Sequence, residues 1–170
     1  MKNIKYTIIL LLSLLTFSAC ETYGDYEVEL SPIYPLCGEW IVDVKDEAGT
    51  LVKQKTSCNT YNTSANNTDK MWIKMGSKTV AYGMLGKVNC SVPNLSFNGD
   101  NIPNLLDATD GVTTSTSVTV TNGKITINGF DTASGHKADK IEFTMTNSKY
   151  PGKTYTVIGF RKTGWAGEDY

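Results

Sequence analysis

Gly38-Glu-Trp-Ile-Val-Asp-Val-Lys-Asp46 is the stretch on which the fold turns. Trp40, Val42 and Val44 fall on one side of a two-residue period and Ile41, Asp43 and Lys45 on the other. Successive side chains of a strand point to opposite faces, so this alternation predicts a half-buried strand. Asp46-Glu-Ala-Gly49 supplies turn chemistry, and a second run spans residues 51–61. Working outward, the same pattern recurs about every ten residues. A polar stretch, residues 62–69, leads to a strand at 71–75. Residues 79–90 follow, in which Val80, Tyr82, Met84 and Val88 alternate with smaller or polar neighbours, and then a short run at 95–97. Residues 117–121 and 124–129 flank Asn122-Gly123, a pair that tolerates positive φ and predicts a two-residue hairpin turn. Two further strands, 140–146 and 154–162, lie either side of a loop holding Tyr150-Pro151-Gly152, and only residues 101–108 suit a turn or two of helix.

Eight or nine short antiparallel strands without an ordinary helix specify an all-β domain. Gly83, Gly86, Gly129 and Gly159 interrupt strand patterns, where glycine permits the bends and bulges of a tight barrel. A barrel of about eight strands is the expectation, with a β-sandwich as the alternative.

The 170 residues carry 16 Lys+Arg against 17 Asp+Glu, a net charge of −1 with no basic run, which excludes nucleic-acid binding. One Arg (Arg161) and one His (His136) serve the whole chain. Acid–base, phosphate and metal chemistries draw heavily on those residues, so composition argues against an enzyme, and no cofactor is expected. With no C-x-x-C and a single His, no metal site is expected either. Cys37, Cys58 and Cys90 are an odd set, read as buried thiols or as one pair plus one thiol. Ser134-Gly-His136 with Asp139 is the nearest approach to a hydrolytic cluster. Neighbours in one loop rarely reach hydrogen-bonding geometry, and no G-x-S-x-G elbow exposes a serine, so a polar loop is expected. Asp107, Asp110 and Asp131 sit in turn-like contexts, and Asn98-Gly-Asp100-Asn101 lacks calcium-loop spacing.

Residues 1–19 combine Lys2 and Lys5, the apolar run Ile8-Ile-Leu-Leu-Leu-Ser-Leu-Leu15 and Ser18-Ala19 before Cys20. This reads as an export signal, its apolar run being short of the roughly 20 residues that span a bilayer. Cys20 after Ser-Ala resembles the lipobox of bacterial lipoproteins, although Phe17 stands where Leu is usual. The resemblance implies a diacylglycerol-bearing N-terminus and stable membrane attachment. Residues 20–36, with Glu21, Asp25, Glu27 and Glu29, then read as a lipidated tether, or as an edge strand through Tyr26, Val28 and Leu30. Residues 37–170 form the domain.

Gly38-Glu39-Trp40 together with Arg161 at the end of the last strand resembles lipocalins and related calycin barrels, in which a terminal Arg lies over the Trp and closes the floor. A guanidinium stacks on indole as Lys cannot, a physical reason for one Arg in a Lys-rich chain. Tyr34-Pro35, Tyr61-Asn-Thr-Ser-Ala-Asn66, Lys70-Met-Trp-Ile73, Gly135-His-Lys-Ala-Asp139 and Gly159-Phe-Arg161 extend the likeness. The chain resembles small lipoproteins of Bacteroidota in the lipocalin-like "lipid-binding putative hydrolase" family. That resemblance implies an outer-membrane lipoprotein, on the periplasmic or cell-surface side, with a small hydrophobic or amphiphilic ligand; it brings no catalytic set. Alternation nominates Val42, Val44, Tyr82, Met84, Phe143 and Met145 as ligand-facing residues inside the barrel. The alternatives are a filled barrel serving a protein partner of an outer-membrane uptake system, and a hydrolase. Unlike lipocalins, the sequence shows no C-terminal helix.

Lipidation has a direct check. Labelled palmitate should be incorporated by the wild type and not by Cys20→Ala, which should leave the membrane fraction.

Overall fold

The computed structural model of the protein describes residues 29–165 and 167–169. The leader, Cys20, Tyr26 and Val28 lie outside them. Eight strands form: β1 (Gly38–Asp46), β2 (Leu51–Asn62), β3 (Lys70–Met75), β4 (Met84–Ser91), β5 (Ser96–Pro103), β6 (Ser117–Asp131), β7 (Lys137–Asn147) and β8 (Thr154–Arg161). Each pairs antiparallel with the next, and β8 returns to β1, setting Trp40 opposite Arg161, Val42 opposite Gly159 and Val44 opposite Val157. That last ladder makes the sheet a closed barrel and rules out the sandwich. All eight strands lie within one compact unit, Ser31–Tyr170.

The period-two reading of β1 holds: Trp40, Val42 and Val44 point inward and are buried. Inward positions of the other strands supply Met71, Ile73, Met75, Met84, Val88, Phe97, Val120, Ile141, Phe143, Met145 and Val157 to one continuous core. Phe97 and Phe143 meet edge to face at 5.7 Å. Where the wall cannot spare room, the inward residue is glycine. A Cβ on Gly86 would come within 2.8 Å of Ile102 Cδ1, closer than real contacts allow. Packing of this density leaves little slack for added atoms.

Arg161 shuts the floor. Its guanidinium carbon lies 4.5 Å from the centroid of the Trp40 ring, as expected from the sequence. It also donates through Nε to Asp139 Oδ2 (3.0 Å), through Nη2 to Pro35 O (3.1 Å), and through Nη1 to Cys37 O. These bonds hold the 3₁₀ turn Tyr34–Leu36 beneath the barrel, where Ile33 and Leu36 are fully buried. The fold therefore takes in the end of the segment read as tether. Trp40 Nε1 donates to Thr60 Oγ1 (2.8 Å), which donates to Leu36 O (2.7 Å), so the buried indole N–H is satisfied. Gly38 is required here, since a Cβ would collide with the Arg161 guanidinium.

At the opposite end, residues 79–83 turn instead of extending β4, a departure from the expected long strand. Val80 N donates to Ser77 O and Gly83 N to Val80 O. The turn presses Tyr82 edge-on against Tyr155 at 6.2 Å. The amides of Asn104 and Asn147 both donate to Gly83 O (3.2 and 3.1 Å), clamping this turn to the β5–β6 connection and to β7.

Asn122-Gly123 makes no hairpin. Residues 117–131 run as one strand, and Asn122-Gly123 forms a bulge in it, between the pairs Thr121–Thr144 and Lys124–Glu142. Asn122 has φ 55°, the property that suggested a turn. The dipeptide's backbone serves a bulge equally well, and partners on both sides, β5 and β7, keep the strand going. Gly123 lies beneath Phe97, where a Cβ would collide with the carbonyl and the ring. After β8 the described residues contain no helix.

Arg161→Lys should keep the charge, lose the stack and at least one backbone bond, and lower stability by about 2 kcal/mol in thermal or urea unfolding.

Candidate functional site

Ile41 and Phe160 alternate out of phase with the core, so they point to the outside of the barrel, yet they are only 8% and 9% exposed. The cover comes from the hairpin joining β6 and β7. Between Thr126 and Phe130 the register shifts, with Asn128 at φ 52° and its N–H donating to Asp139 Oδ1 (3.0 Å). This bend carries Phe130 over β8, where it stacks on Phe160 at 4.8 Å and 25°. Ile41, Phe160, Ala138 and Phe130 form a second small apolar cluster, separate from the barrel core.

Beside that cluster runs a groove of about 530 Å³. Ile41 and Ile158 form its floor with Phe160, and Phe130 walls one side. Residues 167–168 line it as well, and Asp43, opposite Ile158 in the β1–β8 ladder, brings charge to the same lining with Lys45, Lys55 and Asp131. The tail is tied down by polar contacts. Ser134 donates through its N–H (3.3 Å) and its hydroxyl to Glu168 Oε1, while Lys55 Nζ reaches Glu168 O (3.4 Å). Asp169 accepts from Thr163 N (3.0 Å) and Gly164 N (2.7 Å). Hydrogen bonds led by those from Ser134 hold the Glu168 carboxyl down at about 2.

The residues nominated from alternation lie elsewhere. Val42, Val44, Met84, Phe143 and Met145 are packed in the barrel core, and Tyr82 sits in the turn over its upper end; none of the six lines this groove. Gly38, Trp40 and Arg161 do meet as the barrel closure. The groove escaped sequence reading because Ile41, Ile158 and Phe160 occupy the face that alternation assigns to solvent. Their one signal was bulk apolar character at adjacent outward positions of β1 and β8.

Ser134, His136 and Asp139 do not form a hydrolytic relay. The Ser134 hydroxyl donates to Glu168, the His136 ring stacks on Trp165 at 5.9 Å, and Asp139 pairs with Arg161 at 3.0 Å. Asp107 accepts from Lys149 (2.6 Å) and Thr116 (2.9 Å), Asp110 from the backbone of Val112 and Thr113, and Asp131 pairs with Lys137 (2.5 Å). Cys37, Cys58 and Cys90 are free thiols, and burial pushes Cys58 up to about 12 and Cys90 to about 11, far from a reactive thiolate. Among the described residues no group of three or more His, Cys, Asp or Glu is placed to hold a metal.

The lowered Glu168 carboxyl gives a pH prediction. Its folded value lies below the ordinary 4.5, so its contribution is present above that value and lost as pH falls through about 2. In Ser134→Ala the loss should move to higher pH, read from the Glu168 side-chain carbon in an NMR titration. An unchanged midpoint would show that Ser134 does not set it.

A search of curated proteins finds no match to the chain. Among solved structures, a redesigned β-barrel is 19% identical, with a TM-score of 0.44, covering 80% of this chain and 99% of that one. The profile of the family described as "Lipid-binding putative hydrolase" matches residues 25–166. With most of its length matched, β1 to β8 included, the chain belongs to that family.

Proposed function

We propose that this protein binds a single-chain amphiphile in the groove over β1 and β8 and releases it unchanged. The observation that carries the reading is the groove itself: a floor of outward-facing Ile41, Ile158 and Phe160 under a volume of about 530 Å³. Small-ligand sites are commonly concave, mostly apolar and a few hundred Å³ in size. Membership of a lipid-binding family supports the same ligand class. Each methylene removed from water contributes about 0.8 kcal/mol, so a segment of about eight carbons would gain roughly 6 kcal/mol before the cost of association. Lys45, Lys55 and Asp43 in the lining offer a headgroup charged partners beside the apolar floor. Binding without turnover is supported by what the nearby polar groups already do: the Ser134 hydroxyl donates to Glu168 and the His136 ring stacks on Trp165.

The export signal and Cys20 support an outer-membrane position for this binding module in our reading, with its own acyl chains as the anchor. A second reading has one observation in its favour. The barrel core is densely packed and both ends are shut, as suits an accessory domain that presents its outer wall to a protein partner.

Titration with a fluorescent fatty acid, followed by native mass spectrometry of detergent-free protein, separates the two. Saturable binding should weaken at least tenfold in Ile158→Glu, which puts a charge on the groove floor, and persist in the core variant Met84→Leu. Absence of saturable binding would remove the ligand reading in favour of the accessory one.

A further inference from the structure

We propose that the outer face of β2, β3 and β4 is a docking surface for an anionic lipid bilayer, distinct from the groove over β1 and β8. The ladders of these strands set Tyr61 opposite Trp72 and Trp72 opposite Lys87. Their inward neighbours Thr60, Met71, Ile73 and Val88 are buried, so these three point outward. Tyr61 and Trp72 stack at 6.5 Å and 22°, and the Lys87 ammonium sits 5.1 Å from the Trp72 ring centroid. Lys70 and Lys74 flank Trp72 on β3, about 13 Å apart at strand spacing. The outward positions of the paired ladders thus carry three lysines and two aromatic rings, with no Asp or Glu among them.

The chain as a whole is slightly acidic, with a net charge of −1, so this all-cationic face is a local segregation of charge. Its chemistry matches an anionic headgroup layer in two respects. Lysines near such a surface are attracted over about a Debye length, which spans the whole patch. Tyr and Trp settle at the boundary between headgroups and acyl chains, with the ring in the apolar side and the polar edge in water. Trp72 is half-buried and Tyr61 is 38% exposed, so both rings are available without unfolding. The barrel gives the face rigidity, since β3 is held by full ladders on both sides.

The test uses residues 31–170. This unit holds every strand, the Tyr34–Leu36 floor and the upper turn, so it contains all the contacts that close the fold, and it omits the acyl anchor that would mask the effect. Flotation is compared on vesicles of phosphatidylcholine alone and of phosphatidylcholine and phosphatidylglycerol in equal parts. The expected result is salt-sensitive binding to the anionic vesicles, weakened roughly tenfold or more by Lys74→Glu with Lys87→Glu. Trp72→Ala should weaken it with less change in salt dependence. Circular dichroism and thermal unfolding of the lysine variant should match the wild type, because both side chains are exposed. Equal flotation on the two vesicle types, no flotation on either, or charge reversal without effect would overturn the proposal. Retention on a neutral oligosaccharide column in place of vesicle binding would overturn it too and reassign the aromatic pair to sugar stacking. The groove reading is untouched by these outcomes, since Ile158→Glu alters the opposite property and a different wall.

Discussion

Arg161 over Trp40 is the contact on which the rest of this barrel depends. It fastens three things at once: the edge where β8 meets β1, the turn that plugs the floor, and Asp139 on β7. Asp139 in turn takes the N–H of Asn128 at the bend of the β6–β7 hairpin, so the same guanidinium also steadies the hairpin that covers Ile41 and Phe160. A point charge on a flexible stem could satisfy one of these demands. A planar fork with five donors can satisfy them together.

The fold was legible because strand, turn and closure each have a local signature. Alternation placed Trp40, Val42 and Val44 inside, and the solitary Arg marked the seam. Asn122-Gly123 was misread because positive φ is a property of the backbone state, and both a hairpin and a bulge need it; only the partners on either side of β6 decide between them. Residues 79–90 looked like one strand because Tyr82 fell in phase with Met84, although Gly83 cannot accept a Cβ without striking Ser77 O. The groove was least legible of all. Its floor joins residues of β1 and β8, and its cover is supplied by Phe130 and the tail around Glu168, so no contiguous stretch describes it.

A solid interior shifts the chemistry to the outside wall. In a hollow barrel, inward residues select the ligand and outward ones meet solvent. Here the inward set is engaged in mutual packing, and the outward face is differentiated instead. One sector is apolar under a flap, and another is cationic and aromatic. Because each strand contributes to both faces, a core substitution that alters strand register would exchange the two sets of side chains, and recognition would be lost along with packing.

The contact between Arg161 and Cys37 joins residues 124 positions apart, and it can form only when all eight strands between them are available. Every earlier strand finds its partner next door in sequence, so the sheet can grow in order, but it stays open at two edges until β8 arrives. A chain truncated before β8 would present β1 and β7 as unpaired templates, each able to recruit another copy. Arrival of β8 is thus the step that removes both open edges at once, and the last strand acts as a seal on the barrel.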